Sequence, residues 1–262
     1  MSLLLRHLAE SFRKPDHWLY AGWLDVITRY RKTVLGLFWI FFPTIVYIWG
    51  LGGFLGAIQG TDMSPYLAHI GFGFVIFRLI STVIMEAGSS FASYQSYIYE
   101  GNLRLTDFVL RPMFRAFVHF LFAAPLLAIV LAGEGGVTVA GFGMSMIGLL
   151  VVLVNLFFSG MLIALVGARY PDINDFLGSV MLAVFLVTPI IWHAEAAAPG
   201  TLQGQLMRAN PFHHMLAVIR EPLLGKPIED LTYLYMGGMT VVGIVLAMAL
   251  YGRLAKRVPT WL

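Results

Sequence analysis

Four basic residues have the types and positions to bind an anion in a chain that is otherwise strongly apolar. Arg29, Arg31 and Lys32 stand directly before a long uncharged stretch, and Arg78 lies in the middle of a second one. Cationic side chains at the depth of lipid headgroups can hold an anion through charge-assisted hydrogen bonds. The cluster of three also has a simpler explanation, because cations that flank a membrane span on its cytoplasmic side orient that span.

Arg78 has no such explanation, since it falls inside an apolar stretch. An arginine at the centre of a membrane helix costs roughly 2.5–3.5 kcal/mol on insertion scales, so its side chain is expected to face protein or water. It could line a wet channel or contact an anionic sugar. Equally, it could meet a structural partner, such as a backbone carbonyl or Glu86 of a second copy.

A set of aromatic residues could form a path for a sugar polymer, because aromatic faces can pack on the C–H faces of sugar rings. These channel-lining candidates are Phe38, Phe42, Tyr47, Trp49 and Trp192. Aromatic side chains at helical spacing more often pack between helices or sit at the membrane–water interface, and that alternative stays open.

The composition places the chain in a membrane. Its 262 residues are 59% hydrophobic and only 12% charged, whereas a soluble domain carries about 25% charge. The formal charge of +3 is explained by cations on the cytoplasmic side, which argues against nucleic-acid binding. We therefore predict an all-α integral membrane protein.

Several kinds of chemistry are disfavoured by what the sequence contains. There is no cysteine, hence no disulfide, thiol nucleophile or thiolate metal site. His193, His213 and His214 lack partners at metal-ligand spacing, so we predict no metal site. No Walker-type glycine loop is present, so a nucleotide would have to bind to another chain. We predict no catalytic residues and no cofactor in this chain.

The hydropathy pattern predicts about six membrane-spanning helices in a single domain, 34–262, preceded by a cytoplasmic segment, 1–33. In this topology 13 of the 17 lysines and arginines, and both termini, lie on the cytoplasmic side. The predicted spans are 34–57, 66–87, 108–132, 142–168, 176–192 and 235–252. Apolar residues at helical spacing from Trp18 to Tyr30 predict an amphipathic helix in the inner membrane interface.

Two short helices are predicted between spans five and six, on the outer side. One lies around 202–208. The second begins at Asn210, which can cap it, and stops near Pro222. These helices form either a packed outer cap or a gate, and the gate candidates are Asn210, Phe212, His213 and Arg220.

The segment between spans two and three mixes aromatic and charged residues. Its members are Tyr97, Tyr99, Glu100, Arg104 and Asp107. Apolar contacts with a few charges that fix register are typical of a protein–protein contact, although a solvated loop explains the same residues.

Three stretches together resemble one family. They are RYRKTVLGLFW before the first span, ARYPDINDFLGSVMLAVFLVTPIIW across the fifth, and NPFHHMLAVIREPLLG after it. In this order they are similar to the permease subunits of type II ABC exporters for O-antigen and related cell-surface polysaccharides.

The resemblance implies a homodimer in the bacterial cytoplasmic (inner) membrane, bound to two copies of a separate ATPase that carries ATP and magnesium. The cargo it implies is a polyprenyl-pyrophosphate-linked glycan. The N-terminal helix and the 97–107 segment would then contact the ATPase, and the short outer helices would form a gate. Arg29, Arg31 and Lys32 become candidates for binding the lipid pyrophosphate.

Two alternatives remain at this point. The chain could export another cargo, such as capsule, teichoic acid or a drug. It could also be an intramembrane enzyme, although its few acidic residues lie mostly at helix ends, where they do not form a catalytic cluster.

Overall fold

A computed structural model gives the fold and describes residues 2–60, 62–101, 103–133 and 136–262. Within these ranges the regular structure is helical, without a β-strand. The helices are α1 (Leu3–Arg13), α2 (Leu19–Arg31), α3 (Phe38–Ile45), α4 (Gly53–Gln59), α5 (Met63–Ser93), α6 (Gln95–Glu100), α7 (Leu105–Ala132), α8 (Val139–Arg169), α9 (Ile173–Val187), α10 (Leu202–Ala209), α11 (Pro211–Leu223), α12 (Asp230–Leu254) and α13 (Val258–Trp261).

Five helical segments are long and apolar enough to cross a membrane. They are Phe38–Gln59, Met63–Ser93, Leu105–Ala132, Val139–Arg169 and Asp230–Trp261. They correspond to the predicted first, second, third, fourth and sixth spans. The prediction of a helical, multi-pass membrane chain is therefore confirmed at this level.

The first of these segments is one helix with an irregular middle. Pro43 lies inside α3 and has no N–H to donate, and Val46–Gly52 then form a π-helix that leads into α4. Helices in membranes tolerate such a proline because neighbouring helices and local π adjustments satisfy the freed backbone groups. The helix therefore continues past Pro43, within the predicted first span, 34–57.

The predicted fifth span, 176–192, is helical only in part. Helix α9 has 15 residues and ends at Val187, five residues before the predicted end. The physical reason is Pro189, which cannot donate a helical hydrogen bond and disfavours helical geometry in the residue before it. Thr188 accordingly has an extended backbone, with ψ of 131°. We call residues 188–192 the strap.

Helix α5 is the centre of the structure. It is buried along most of its length and packs against α7, α8, α9 and α11. Small residues permit the closest of these approaches, because a Cβ atom on Gly167 of α8 would collide with the carbonyl of Gly88. Polar groups on α5 therefore face other helices, which is what a functional site between helices requires.

Two short helices, α10 and α11, form between α9 and α12, where the sequence predicts them. Asn210 caps α11 by accepting a hydrogen bond from the backbone N–H of Phe212 at 3.0 Å. Helix α11 runs through Pro222 to Leu223, slightly further than predicted. A helix, α2, also covers most of the region from Trp18 to Tyr30.

Candidate functional site

A polar cavity of about 380 Å³ lies among α2, α3, α5 and α7. We call it the arginine cavity. Its charged lining residues are Asp25, Arg29, Arg78, Glu86 and Arg115. The cavity thus brings together Arg29 and Arg78, which the sequence singles out in two separate helices.

Helix α2 is held against α7 at this cavity by Asp25. Arg111 donates to both carboxylate oxygens of Asp25, at 2.6 and 2.8 Å, and Arg115 donates to one of them at 2.8 Å. Gly22 permits the close approach, since a Cβ there would lie 2.9 Å from the ring of Phe114. Burial alone would raise the pKa of Asp25, but the two guanidinium groups lower it overall.

Arg115 also bonds the second carboxylate of the cavity. It donates to Glu86 on α5 at 2.8 Å and to the Tyr94 hydroxyl at 3.3 Å. Arg115 therefore links α2, α5 and α7. Glu86 is committed to Arg115 of its own chain.

A hydrogen-bonded histidine completes this wall. His119 Nδ1 lies 2.7 Å from the Arg115 carbonyl, so that nitrogen carries the proton and donates. In the neutral ring Nε2 then accepts from the Tyr30 hydroxyl at 3.2 Å. Tyr30 and His119 are held in place by each other.

Arg29 and Arg78 are different, because neither guanidinium forms an ion pair or a hydrogen bond with another of the described residues. Arg29 is exposed at the end of α2, and Arg78 is half-buried on α5. The cavity therefore has two sides. On its open side Arg29 and Arg78 are unpaired among the described residues, and on its other side Asp25, Glu86 and Arg115 are joined in ion pairs. Arg31 and Lys32 are exposed on the same end of α2 and do not line it.

A second polar region surrounds the strap. The backbone carbonyl groups of the strap would lack hydrogen-bond partners in a membrane, and nearby side chains supply those partners. The Tyr66 hydroxyl donates to the Ile191 carbonyl at 3.0 Å, and His69 lies 2.9 Å from the Trp192 carbonyl. We call the strap and the side chains that hold it, with the ion pairs beside them, the outer network.

Arg220 is the centre of the outer network and is only 1% exposed. It donates to the Pro189 carbonyl at 2.7 Å and to Glu221 at 2.8 and 3.0 Å. Asn210 donates to Thr188 at 2.8 Å. Two of the predicted gate residues, Asn210 and Arg220, thus meet on the strap.

The other two gate candidates lie nearby in α11. His213 is buried and lines a cavity of about 370 Å³ beside Arg220, and its Nδ1 atom has no hydrogen-bond partner among the described residues. Burial lowers the pKa of His213 to about 3. Phe212 packs against the main hydrophobic core.

The predicted ATPase-contact residues divide into two groups. Tyr97 and Tyr99 are 48% and 56% exposed on α6, and Glu100 is exposed beside them. Arg104 instead pairs with Glu10 of α1 at 2.8 Å, and Asp107, 1% exposed, accepts from the Arg104 backbone N–H. Arg104 and Asp107 therefore stabilise the segment, whereas Tyr97, Tyr99 and Glu100 are exposed and available for contact.

The chain termini meet at this same end of the molecule. His7 of α1 hydrogen-bonds Tyr251 of α12 at 2.7 Å. Gln95 of α6 donates to the C-terminal Leu262 carbonyl at 2.6 Å. Together with the contact between α1 and Arg104, these bonds gather α1, α6 and the C-terminus into one face.

The aromatic channel candidates do not line one shared cavity within the described part of a single chain. Phe38, Phe42 and Trp49 are exposed on the first long helix. Tyr47 stacks on Phe74 with ring centroids 3.8 Å apart. Trp192 donates to the Leu186 carbonyl at 3.2 Å at the end of the strap.

Sequence reasoning missed several residues that build these sites. In the arginine cavity they are Asp25, Arg115 and His119, and in the outer network Tyr66 and His69. The spacing Arg111–Arg115–His119 places three polar residues on one face of α7, which is a readable signal inside an apolar helix. No periodicity could reveal that Tyr66 and His69 meet a strap more than 120 residues later.

The geometry defines a helical protein with five membrane-length helices and polar sites between them. No family model matches the chain, and no curated protein matches it significantly.

Proposed function

We propose that this chain is the membrane-spanning permease subunit of an ATP-driven exporter for a lipid-linked cell-surface polysaccharide. The proposal starts from the three stretches that resemble O-antigen permeases. The structural observation that carries it is the shared face of α1, α6 and the C-terminus. This face presents Tyr97, Tyr99 and Glu100, and suits a partner ATPase.

The shared face also supports an even number of membrane crossings. If both termini lie on one side, five long helices need a sixth crossing. Helix α9 supplies about 22 Å at 1.5 Å per residue, which is less than the ~30 Å hydrocarbon layer. The strap is bent at all five of its residues, so in this proposal the sixth crossing combines α9 with a bent segment rather than a full-length helix.

In this proposal both termini are cytoplasmic, and α2 lies at the inner membrane surface. Two copies of the chain pair to complete the path, and the exposed Phe38, Phe42 and Trp49 face a second copy or lipid. ATP and magnesium bind to the partner ATPase. Capsule or teichoic-acid cargo is the second candidate, because the resemblance extends to those related polysaccharides.

Glu100→Arg tests the ATPase face. Reversing an exposed charge on this face should reduce co-purification of the proposed partner ATPase, while the permease itself still folds. The matched control is Asp62→Arg, an exposed acid before α5 at the opposite end. Equal recovery of the ATPase with both variants would contradict the assigned face.

Cells that lack the gene should accumulate the polysaccharide inside, and this chain plus its ATPase should restore export. A reporter fused after Leu262 should be cytoplasmic. If the reporter appears on the far side, the topology fails, and if the polymer never accumulates, the cargo is wrong.

A further inference from the structure

Two cations of the arginine cavity lack a counter-ion. The cavity contains two carboxylates, and both are already engaged. Asp25 accepts three hydrogen bonds from Arg111 and Arg115, and Glu86 accepts one from Arg115 at 2.8 Å. Arg29 and Arg78 therefore keep their charge uncompensated by the described residues.

An uncompensated guanidinium is costly at the position of Arg78. It is half-buried near the middle of a 31-residue helix that is mostly enclosed by other helices. Such a charge is retained in membrane helices when it faces water or an anion along a functional route. The cavity beside it supplies the space for that anion.

The lining of the cavity fits a phosphate group. A guanidinium matches two phosphate oxygens with parallel N–H donors. Thr44 and Thr82 add hydroxyl groups to the same walls. The volume of about 380 Å³ is at the small end of the range for small-molecule pockets, about 300–1,000 Å³. It suits a headgroup and excludes a polymer.

The route to the cavity also fits a lipid headgroup. Arg29 is exposed at the C-terminal end of the amphipathic α2, whereas Arg78 lies deeper. In the proposed topology α2 lies at the cytoplasmic headgroup level. An anion would meet Arg29 first and Arg78 second.

We propose that the arginine cavity binds the pyrophosphate headgroup of the lipid carrier, with Arg78 as the deep ligand and Arg29 as the outer one. This inference rests on the proposed function for the identity of the carrier. It assigns a binding role to Arg78 and removes Arg31 and Lys32 from the site, since they do not line the cavity.

The test is a binding measurement on the purified full-length chain in detergent, without an ATPase. The probe is geranylgeranyl pyrophosphate, a short polyprenyl pyrophosphate, titrated by calorimetry. Geranylgeraniol, inorganic pyrophosphate and phosphatidylglycerol are titrated beside it. The pyrophosphate lipid should bind at least tenfold more tightly than each of the other three, because only it offers both headgroup and chain.

Arg78→Gln should weaken this binding roughly tenfold or more, as expected when a hydrogen bond to a charged group is lost. Arg78→Lys keeps the positive charge but loses the parallel N–H donors of the guanidinium. Its affinity for the probe should therefore lie between that of the unmodified chain and that of Arg78→Gln. Arg29→Gln, at an exposed position, should show a smaller loss. Arg253→Gln, an exposed arginine outside the cavity, is the matched control and should bind like the unmodified chain.

Several outcomes would overturn the assignment. One is a folded Arg78→Gln protein that binds the probe normally. Another is geranylgeraniol binding as tightly as its pyrophosphate. Equal affinity for phosphatidylglycerol would make this a general anionic-lipid site, and equal affinity for inorganic pyrophosphate would make it a site for a soluble anion. If Arg78→Gln does not fold, Arg78→Lys and Arg29→Gln decide the question.

Failure of this site is distinguishable from failure of the proposed function. If the chain exports polymer with its ATPase but does not bind the probe through Arg78, only the site is wrong. If it binds the probe and never assembles with an ATPase or exports a polymer, the exporter assignment is wrong and the anion site remains.

Discussion

The arginine cavity and the outer network contain the same kinds of charged residues but differ in the ratio of cations to carboxylates. In the outer network each cation has its own carboxylate: Arg208 with Glu229, Arg220 with Glu221, and Lys226 with Glu195, all at 2.8–2.9 Å. In the arginine cavity two carboxylates are shared by Arg111 and Arg115, and two further arginines are left over.

The difference indicates two roles: the charges of the outer network stabilise the fold, and the unpaired arginines of the arginine cavity bind a ligand. Matched, well-bonded charges can stabilise a structure because removing one partner leaves the other unpaired. Cations without a counter-ion do not stabilise the fold, and a bound anion would explain why they are present. We therefore expect mutations in the outer network to act on stability, and those at the open side of the arginine cavity to act on ligand binding.

Arg220→Met should have the largest effect on stability. It leaves Glu221 and the Pro189 carbonyl without their partner in a buried setting, and breaking a buried pair in this way costs about 3–5 kcal/mol. The thermal midpoint in detergent should fall by on the order of 10 °C. Lys226→Gln is the control, because its ion pair is largely exposed and is worth at most about 1 kcal/mol. Similar midpoints for both variants would mean that the strap is held by something else.

Asp25→Asn should have an intermediate effect, because it weakens charge-assisted bonds that join α2 to α7. Such bonds contribute about 1.5–3 kcal/mol. The variant should be less stable and, with one carboxylate charge fewer and Arg111 left without a counter-ion, should bind the pyrophosphate lipid more tightly. Asp16→Asn, at an exposed position without an ion pair among the described residues, should change neither property. Weaker ligand binding by Asp25→Asn would contradict the charge argument.

Mild acid should act first on the cavity beside the outer network, which His213 lines. His213 has a folded-state pKa of about 3, below its ordinary value of 6.5, because it is buried. Between those values the unfolded chain binds a proton that the folded chain does not. The contribution of His213 to stability is therefore complete above pH 6.5 and falls by about 1.4 kcal/mol per pH unit as the pH drops below it.

Asp25 in the arginine cavity should not respond in this range. The pKa of Asp25 is lowered, so its contribution is present above its ordinary value of 3.8 and is lost only as the pH falls below that value. Thermal midpoints at pH 7.5 and 5.0 test the difference. His213→Phe should reduce the pH dependence of the thermal midpoint, and an unchanged slope would show that His213 is protonated without cost.

The sequence was sufficient for the long helices and for the two outer helices, because apolar length, proline and the Asn210 cap are local signals. It was also sufficient to single out Arg29 and Arg78. It could not show that they share one cavity, because that depends on how α2 packs against α5 and α7. The strap was missed for a related reason: Pro189 signals where a helix stops, but not which distant side chains take up the carbonyls.

The strap has a mechanical consequence. In a helix each backbone hydrogen bond is enforced by its neighbours, so a turn opens as a unit. The strap's carbonyls are bound instead by separate side chains from α5 and α11, so these hydrogen bonds can break one at a time. This part of the molecule can therefore change shape in small increments while α9 itself stays wound.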